Sequence, residues 1–599
     1  MIYHCEDHTC NYWDEGEKLP ERCPQCGRKL LRANEADMTG DDWTALGNTL
    51  WDAEASDKKR MVDCFRKAAY LGSAWGVCNL GICMEQGNGV EADPVQAFWL
   101  YQQAVEMGSL NAVCCLGVCY QYGIGTAPDA EKAAELYCKA AEYGSPRGQM
   151  LLARAFHDGI GVEADAAEAV HWVRAAAYQR YGEGMHRLGV CYEYGDGVEQ
   201  NWEHAVHWFR EAAESGVSVA MADLGYCYEK GCGVEQSWEQ AFSWYRRGAE
   251  CGYPVSMSNL GLCYKRGYGV EQNWQEAIKW YEQGAQCGDL QSMHNLACCY
   301  ERGEGVEQNE DRALYWYRRS AEGGNGDAMC NLGRCYERGY GVEQNWQEAV
   351  KWYEQGAQCG HLQSMNNLAC CYEDGEGVEQ NMTEAIRWYT AAAEGGNADA
   401  MHNLGWHYDH GEGVEQDMKK AICWYERAAE QNHPAAMNSL GECYAMGRGV
   451  PRDLETAMEW YRRAAELGEA MADYNMGWHL EQAGKLSEAY AHYRKAADGN
   501  DDSAWWALGR FYENGVVVAQ DGKEARRCYE TGEKLGSVKC KMRLARCKLL
   551  GIGGRRAKNA GLDLCRQALE LAKESSEKED YGYEAEMNLL RRTIAENES

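Results

Sequence analysis

Apolar residues recur along this chain with a fixed period of 36 residues. One phase of the period holds a leucine followed by Gly or Ala, at Leu80, Leu116, Leu152, Leu188, Leu224, Leu260, Leu296, Leu332, Leu368, Leu404 and Leu440, and Met476 continues the series. A second phase holds a tryptophan, at Trp172, Trp208, Trp244, Trp280, Trp316, Trp352, Trp388, Trp424 and Trp460. Because chance does not hold phase over about a dozen periods, the pattern predicts an array of stacked repeats rather than a few independent globular domains.

Within one period the apolar positions predict two helices. In the first helix they fall at i, i+3, i+4 and i+7, on Met221, Leu224, Gly225 and Tyr228. In the second helix the apolar face carries Ala241, Trp244, Tyr245 and Ala249. We expect the small residue at Gly225 to let a neighbouring helix approach closely. One such pair cannot bury its apolar faces alone, so neighbouring pairs are expected to stack.

The segments between the two helices carry turn and capping signals. A Gly-x-Gly-Val element, at Gly231, Gly233 and Val234 in this unit, predicts a left-handed helix C-cap followed by a turn. Capping boxes then predict the start of the second helix, at Asp165 with Glu168, Ser237 with Gln240, Asn273 with Glu276, Asn345 with Glu348, and Asn381 with Glu384. The same Gly-x-Gly-Val element recurs at fixed phase and lacks the strand–helix context of a nucleotide site, which favours a turn.

Taken together, Leu-Gly-x-Cys-Tyr, Gly-x-Gly-Val and Ala-x-x-Trp-Tyr resemble the Sel1-like repeats, which are relatives of the tetratricopeptide repeats. The resemblance covers roughly residues 41–550 and implies an all-α fold, an α/α solenoid of about fifteen helix-pair repeats. One unit departs from the pattern. Met476 and Leu508 are only 32 residues apart, and the turn around Gly484 lacks Gly-x-Gly-Val, so this unit is closer to a tetratricopeptide repeat.

The ends of the repeat pattern predict the domain boundaries. Residues 1–33 are expected to form a small zinc-ribbon-like module, and residues 34–40 a linker. The repeat solenoid occupies residues 41–558. The phase is lost after that point, so residues 559–599 are predicted to be C-terminal capping helices.

A cysteine cluster precedes the repeats and predicts a metal site. Cys5, Cys10, Cys23 and Cys26 form two pairs separated by a short loop, and four thiolates can surround one Zn²⁺ tetrahedrally. The second pair has the two-residue spacing of a zinc knuckle, whereas the first is looser, so His8 is an alternative ligand. Zinc is favoured over iron or the absence of a metal. Since about thirty residues cannot build a sufficient core, the expected role of the metal is structural.

The cysteines of the repeats fall into register after Leu-Gly, at Cys83, Cys119, Cys191, Cys227, Cys263, Cys299, Cys335, Cys371 and Cys443. We interpret them as small packing residues of the first helix, in preference to redox sensors or disulfide staples. Some secreted members of the family cross-link their helices with two cysteines per repeat, and some of those bind β-lactams. Only Cys251, Cys287 and Cys359 stand late in a second helix here, so the resemblance does not carry that activity over.

Two columns on the opposite face of the first helix predict a binding groove. One is a column of asparagines immediately before the leucine, at Asn259, Asn295, Asn331, Asn367 and Asn403, with Asn79 and Asn475 in the same phase. The other is the variable position after Gly or Ala, at Tyr226, Leu262, Cys298, Arg334, Cys370, Trp406, Glu442 and Trp478. Amides can hydrogen-bond to an extended peptide backbone, and Trp and Arg are frequent interface anchors.

The groove has an alternative interpretation. The asparagines could instead bridge neighbouring repeats, with neutral variation beside them. The tetratricopeptide relationship implies that the first helices line a concave surface, which favours the groove. The Trp-Tyr stripe, by contrast, recurs on the core face and is interpreted as packing.

Composition and charge limit the classes of partner that the chain can bind. The 599 residues include 93 acidic and 60 basic side chains, a net charge of −33, which argues against duplex nucleic acid or an anionic membrane and favours basic partners. The N-terminus lacks a signal region, no apolar run is long enough to span a bilayer, and the cysteine fraction is below that of a disulfide scaffold. We therefore expect a cytoplasmic protein with reduced thiols.

These observations predict a non-enzymatic scaffold or adaptor whose concave face binds a protein or extended peptide. The resemblance implies roles in the assembly of signalling or regulatory complexes. The alternatives are a β-lactam-binding or hydrolase-type member, for which no nucleophile motif is found, and nucleic-acid contact through the zinc ribbon, helped by Arg22, Arg28, Lys29 and Arg32.

Overall fold

The structure, a computed structural model, describes residues 2–5, 13–15, 30–33, 38–51, 55–578 and 584–598. The chain divides into two compact units, Met1–Asn309 and Glu310–Ser599. Each unit is built of consecutive antiparallel helices that pack against their neighbours in sequence. The prediction of an all-α repeat array is thereby confirmed for the repeat region.

The first unit contains three short strands and fifteen helices among its described residues. Strands β1 (Ile2–Cys5), β2 (Trp13–Glu15) and β3 (Leu30–Ala33) form an antiparallel sheet in the order β2-β1-β3. The helices are α1 (Gly40–Thr49), α2 (Ala55–Tyr70), α3 (Ala74–Gln86), α4 (Pro94–Glu106), α5 (Leu110–Tyr122), α6 (Ala130–Glu142), α7 (Pro146–Asp158), α8 (Ala166–Tyr178), α9 (Gly182–Tyr194), α10 (Trp202–Glu214), α11 (Ser218–Lys230), α12 (Trp238–Glu250), α13 (Pro254–Arg266), α14 (Trp274–Gln286) and α15 (Leu290–Arg302).

The second unit is helical throughout its described residues. Its helices are α16 (Glu310–Glu322), α17 (Gly326–Arg338), α18 (Trp346–Gln358), α19 (Leu362–Asp374), α20 (Met382–Glu394), α21 (Ala398–His410), α22 (Met418–Glu430), α23 (Pro434–Met446), α24 (Leu454–Glu466), α25 (Ala470–Gln482), α26 (Leu486–Asp498), α27 (Asp502–Asn514), α28 (Gly522–Lys534), α29 (Val538–Leu550), α30 (Lys558–Lys578) and α31 (Glu584–Glu598).

The pair α11–α12 shows why the periodic residues produce this packing. Leu224 and Ala241 are fully buried between the two helices. A methyl group on Gly225 would lie 2.6 Å from the ring of Tyr245, so the missing side chain admits that ring. The expected close approach at Gly225 is confirmed, and the group that approaches is the tyrosine of the second helix.

The predicted turns are present, and so is the N-cap half of each predicted capping box. Gly231 ends α11 in the left-handed conformation with φ 73°. Gly233, also at positive φ, approaches the backbone of Trp202 in the preceding repeat so closely that a methyl group would lie 2.4 Å away. The predicted N-cap side chains accept from the backbone, as when Ser237 accepts from the amide of Gln240. The contact of Gly233 with Trp202 and the N-cap hydrogen bond of Ser237 fix both ends of the turn, and glycine adopts the positive φ without strain.

The shortened unit departs where the sequence departs. Helix α25 ends at Gln482 and α26 begins at Leu486, so three residues connect them, whereas seven connect α11 to α12. Gly484 carries the positive φ of this tighter turn.

Helices continue to both ends of the described repeats. At the C-terminal end α30 packs on α29, and α31 packs on both. Arg543 of α29 holds Glu586 of α31 through two hydrogen bonds, of 2.6 Å from Nε and 2.7 Å from Nη2. No helix among the described residues is long and apolar enough to cross a membrane.

Candidate functional site

The asparagine column lies on the first helices and bridges consecutive repeats. Asn403 donates from Nδ2 to Oδ1 of Asn366 at 3.2 Å, 37 residues earlier. Asn367 donates to Sγ of Cys330 at 3.5 Å with the same 37-residue offset. At Asn367 and Asn403 the side-chain NH₂ groups therefore bridge neighbouring repeats, as the alternative interpretation of the column expected.

The other members of the column differ in the residue that stands 37 positions earlier. Asn295 donates to the hydroxyl of Ser258 at 3.5 Å. Asn259 is half-buried on α13, and the residue 37 positions before it is Ala222, whose side chain has no acceptor. Asn331 is half-buried on α17. The side-chain oxygens of Asn295 and Asn367 accept from glutamines one helical turn earlier, at 3.2 Å and 3.1 Å.

The variable stripe places aromatic rings in partly solvated positions. Tyr226 is 45% exposed and Trp478 is 41% exposed, the latter packing edge-on against His479. Trp406 is half-buried and stacks on His410, with ring centroids 4.2 Å apart. These three residues belong to three different repeats.

The fourth predicted stripe residue, Arg334, lies in a recess of about 600 Å³ in the second unit. Its Nε is buried and has no hydrogen-bond partner among the described residues. The Arg334 recess is lined by Arg334, Glu337, Arg338, Trp346, Gln363, Asn367, Cys370, Cys371, Asp374, Glu376 and Asp399. The recess therefore brings together a member of the asparagine column, Asn367, and two members of the variable stripe.

Carboxylates line the same recess as Arg334. Glu337 accepts a 2.5 Å hydrogen bond from the hydroxyl of Tyr353. Burial and the neighbouring Glu373 raise the pKa of Asp374. Asp399 lies 3.1 Å from Nε2 of His433.

A smaller recess of about 390 Å³ lies in the first unit, between α7, α8 and α9. This Arg154 recess is lined by Met150, Ala153, Arg154, His157, Asp158, Ala169, Val170, Val173, Glu183, Arg187, Cys191 and Asp196. Its floor is apolar and its rim is charged. Burial raises the pKa of the Cys191 thiol to about 11, so that this group is protonated at neutral pH.

The rim of the Arg154 recess is a chain of hydrogen bonds and ion pairs. His157 lies 2.7 Å from Asp158 through Nδ1 and 3.2 Å from Asp196 through Nε2. Arg154 and Arg187 pair more loosely, at 3.4 Å with Asp158 and 3.5 Å with Asp196. The hydrogen bond from His157, followed by that from Arg154, lowers the pKa of Asp158.

The two recesses are the same site in different repeats. A shift of 180 residues, five periods, superposes their sequence positions: Arg154 on Arg334, His157 on Glu337, Arg187 on Asn367 and Cys191 on Cys371. Arg154 thus stands in the phase of the variable stripe, and Arg187 stands in the phase of the asparagine column. Sequence reasoning found both columns but missed the charged rim, and the phase of the repeat was the signal that could have located it.

The cysteines of the described part of the chain are free thiols, and those in register after Leu-Gly are buried. Their interpretation as packing residues is in accord with this. Residues described by the structure include no cluster of three or more His, Cys, Asp or Glu that could hold a metal. Of the predicted zinc ligands, Cys5 ends β1, whereas Cys10, Cys23, Cys26 and the alternative His8 lie outside the described residues.

The family model that matches is the Sel1 repeat. It matches thirteen segments, residues 76–109, 112–145, 146–181, 182–217, 218–253, 254–289, 290–325, 326–361, 362–397, 398–433, 434–469, 470–501 and 504–537. The helices α1–α2 before these segments and α29–α30 after them extend the array beyond the matched residues. No curated protein sequence matches the chain.

Two solved structures are similar in sequence. One is a protective antigen present in uropathogenic Escherichia coli strains that displays an SLR fold, 32% identical, covering 75% of this chain and 97% of that chain with a TM-score of 0.51. The other is a Sel1 repeat protein from Oxalobacter formigenes, 32% identical, covering 41% of this chain and 96% of that chain with a TM-score of 0.37.

Proposed function

This chain belongs to the Sel1 repeat family, and we propose that it is a non-enzymatic scaffold or adaptor that binds proteins through the exposed face of its first helices. The observation that carries the proposal is the repetition of one recess in two repeats, each at the meeting of the asparagine column and the variable stripe. A fixed framework with variable side chains at one place allows different repeats to recognise different side chains.

The Arg334 recess supports a basic peptide segment as the ligand. Four carboxylates line it, those of Glu337, Asp374, Glu376 and Asp399, against the two guanidinium groups of Arg334 and Arg338. A lysine or arginine of a partner would find carboxylate acceptors there, and charge-assisted hydrogen bonds are the stronger class. The net charge of −33 favours the approach of such a segment over long range.

An unpaired donor in this recess supports recognition of an extended backbone. The buried Nε of Arg334 has no partner within the described protein, and leaving such a group unsatisfied costs about 1–3 kcal/mol. A backbone carbonyl of a bound peptide would satisfy it. The side chain of Gln363, which lines the same recess, already donates to Asn367 and orients its amide.

Selection from a random peptide library displayed on phage tests the proposal. The full chain should enrich peptides with Lys or Arg, and the double substitution Asp374→Asn with Glu376→Gln should abolish that enrichment. The matched control removes two carboxylates from second helices, Glu348→Gln with Glu384→Gln, and should select the same peptides as the natural chain. Selection of no basic peptides, or equal selection by both double variants, contradicts the proposal.

A further inference from the structure

A buried aromatic ring fills the same position of the second helix in almost every repeat. Its members are Tyr101, Tyr137, Phe209, Tyr245, Tyr281, Tyr317, Tyr353, Tyr389, Tyr425, Tyr461, Tyr493 and Tyr529, each at most 1% exposed. The ring packs against the Gly or Ala that follows the leucine of the first helix, as Tyr137 does on Gly117. The ring is therefore a framework element that occupies the space between the two helices of each unit.

Among the thirteen matched repeats, one lacks this ring. Val173 stands 36 residues after Tyr137 and 36 before Phe209, in the phase of the aromatic residue. The neighbouring framework alanine shows the consequence: Ala169 is 5% exposed, whereas its equivalents Ala205 and Ala241 are 0% exposed. Solvent thus reaches an alanine that the ring covers elsewhere.

The space left by the ring belongs to the Arg154 recess. Val173, Val170 and Ala169 line the apolar part of the roughly 390 Å³ cavity. An apolar cavity of roughly 150 Å³ is enough to take up benzene, so this recess has room for a six-membered ring. In the equivalent Arg334 recess Tyr353 occupies its own framework position, and that recess is lined without an aliphatic floor.

The polar partner of the ring is replaced in the same repeat. In six other units a Glu or Gln of the first helix accepts from the tyrosine hydroxyl sixteen residues later, as Gln121 does from Tyr137 at 2.7 Å. His157 stands at this position here, and both of its ring nitrogens lie against carboxylates at the rim. Both members of the pair that joins the two helices in those units are therefore replaced here, and Arg154 lines the recess beside them.

We propose that the Arg154 recess binds the aromatic side chain of a Tyr or Phe in a bound protein segment, in the position that the chain's own ring fills in other repeats. The aliphatic floor of Val170 and Val173 would contact the ring. The guanidinium groups of Arg154 and Arg187, which line the same recess, would stack over the face of the ring or donate to the adjoining backbone carbonyls. This inference rests on the proposed scaffold function and names one anchor of its partner.

A ring-filling variant tests the recess with a free probe. The probe is p-cresol, the side chain of tyrosine, and its binding to the full chain is followed by ligand-observed NMR and calorimetry. We expect saturable binding with a Kd on the order of 1 mM. Val173→Phe, which copies Phe209, should abolish it, whereas Val173→Ala should retain it. Absence of saturable binding to the natural chain, or undiminished binding to Val173→Phe, overturns the proposal.

The equivalent site supplies the reverse experiment. Tyr353→Val removes the framework ring from the Arg334 recess and should create p-cresol binding there, detected in a chain that also carries Val173→Phe. Circular dichroism and thermal unfolding verify that each variant is folded. If Tyr353→Val does not fold, the comparison of Val173→Phe with Val173→Ala decides alone.

Phage selection identifies the source of the ring. The natural chain should enrich peptides with Tyr or Phe at a fixed distance from the basic residues, and Val173→Phe should bind the enriched peptides about tenfold more weakly. If p-cresol binds but no aromatic peptide is enriched, the recess takes a free aromatic molecule and the peptide inference is wrong. If basic peptides are enriched without an aromatic position, the scaffold function holds and the inference about this recess fails.

Discussion

The hydroxyl of Tyr245 donates a 2.8 Å hydrogen bond to Oε2 of Glu229, which lies sixteen residues earlier on the first helix of the same repeat. Equivalent bonds join Tyr101 to Glu85, Tyr353 to Glu337, Tyr389 to Glu373 and Tyr529 to Glu513. Burial, followed by the charge of Glu229, raises the pKa of Tyr245, so the phenol remains a donor across the neutral range. The bond locks the two helices of a repeat together.

Removing this hydroxyl should have opposite consequences in two neighbouring repeats. Tyr245→Phe should lower the stability of its repeat by about 1 kcal/mol, because a buried hydrogen bond is lost. Tyr281→Phe should cost nothing or stabilise slightly, since the hydroxyl of Tyr281 is buried without a partner among the described residues and Lys265 holds the position of the glutamate. Native-state hydrogen exchange of α12 and α14 measures both. An equal loss at the two positions would show that the bond contributes little.

The stability of the second unit should fall on acidification through His402. Burial, followed by the charge of His433, lowers the pKa of His402 to about 4. The unfolded chain takes up a proton near pH 6.5 while the folded chain does not, so the native state loses stability as the pH falls from about 6.5 towards 4. The loss should reach on the order of 2–3 kcal/mol and be visible in hydrogen exchange of α21 at pH 7 and pH 5.

Neighbouring repeats suggest a control substitution for this pH dependence. His402→Asn copies Asn366 and Asn438, which occupy the same phase in neighbouring repeats. An asparagine can still hydrogen-bond to Ser439, whose hydroxyl lies 3.3 Å from Nε2 of His402. A variant that loses stability on acidification as steeply as the natural chain would refute the assignment to His402.

The bridges of the asparagine column should differ in their contribution to stability. Asn403→Ala removes the donor to Asn366 and should cost about 1 kcal/mol. Asn259→Ala should be close to neutral, because Ala222 offers no side-chain acceptor. Urea unfolding monitored by hydrogen exchange distinguishes them. If both substitutions are neutral while peptide binding weakens, the column serves ligand recognition rather than the framework.

The C-terminal helix should detach when its buried ion pair is broken. Arg543 and Glu586 are 14% and 8% exposed, so Glu586→Ala leaves a buried guanidinium with only Glu513 as its partner. We expect a loss of about 3 kcal/mol, seen first as faster hydrogen exchange in α31. Asp563→Asn, which breaks an exposed pair with Arg566, should change little. Unchanged protection of α31 in Glu586→Ala would contradict the ion-pair argument.

The zinc site of the N-terminal module stays a prediction and has a direct test. Mass spectrometry of the native full chain should find one zinc ion, and Cys23→Ser with Cys26→Ser should release it. Separate substitution of Cys10 and His8 tells which of them completes the ligand set. A native preparation that carries no metal would remove the site.

Local features of the repeat were predictable because they depend on a few neighbouring residues. The C-cap at Gly231 requires a positive φ, which glycine adopts without strain, and the N-cap at Ser237 requires only a hydroxyl near the first amides of its helix. The phase of the leucines then repeats this local structure along the chain. The bridging of Asn403 to Asn366 could not be distinguished from ligand recognition, since both place an amide on the same helix face.

The helix pairs, their turns and their order follow from the sequence, because the same capping and turn residues recur in most units with a period of 36 residues. It also placed the two columns from which the recesses are built. That Arg154 and Arg334 line equivalent recesses, and that the Arg154 recess has an apolar floor at Val173, became visible once the helices were packed together. A cavity is formed by side chains from several packed helices, so its shape cannot be read from one helix alone. The effect of a valine in the phase of a tyrosine therefore depends on the residues that would surround the missing ring.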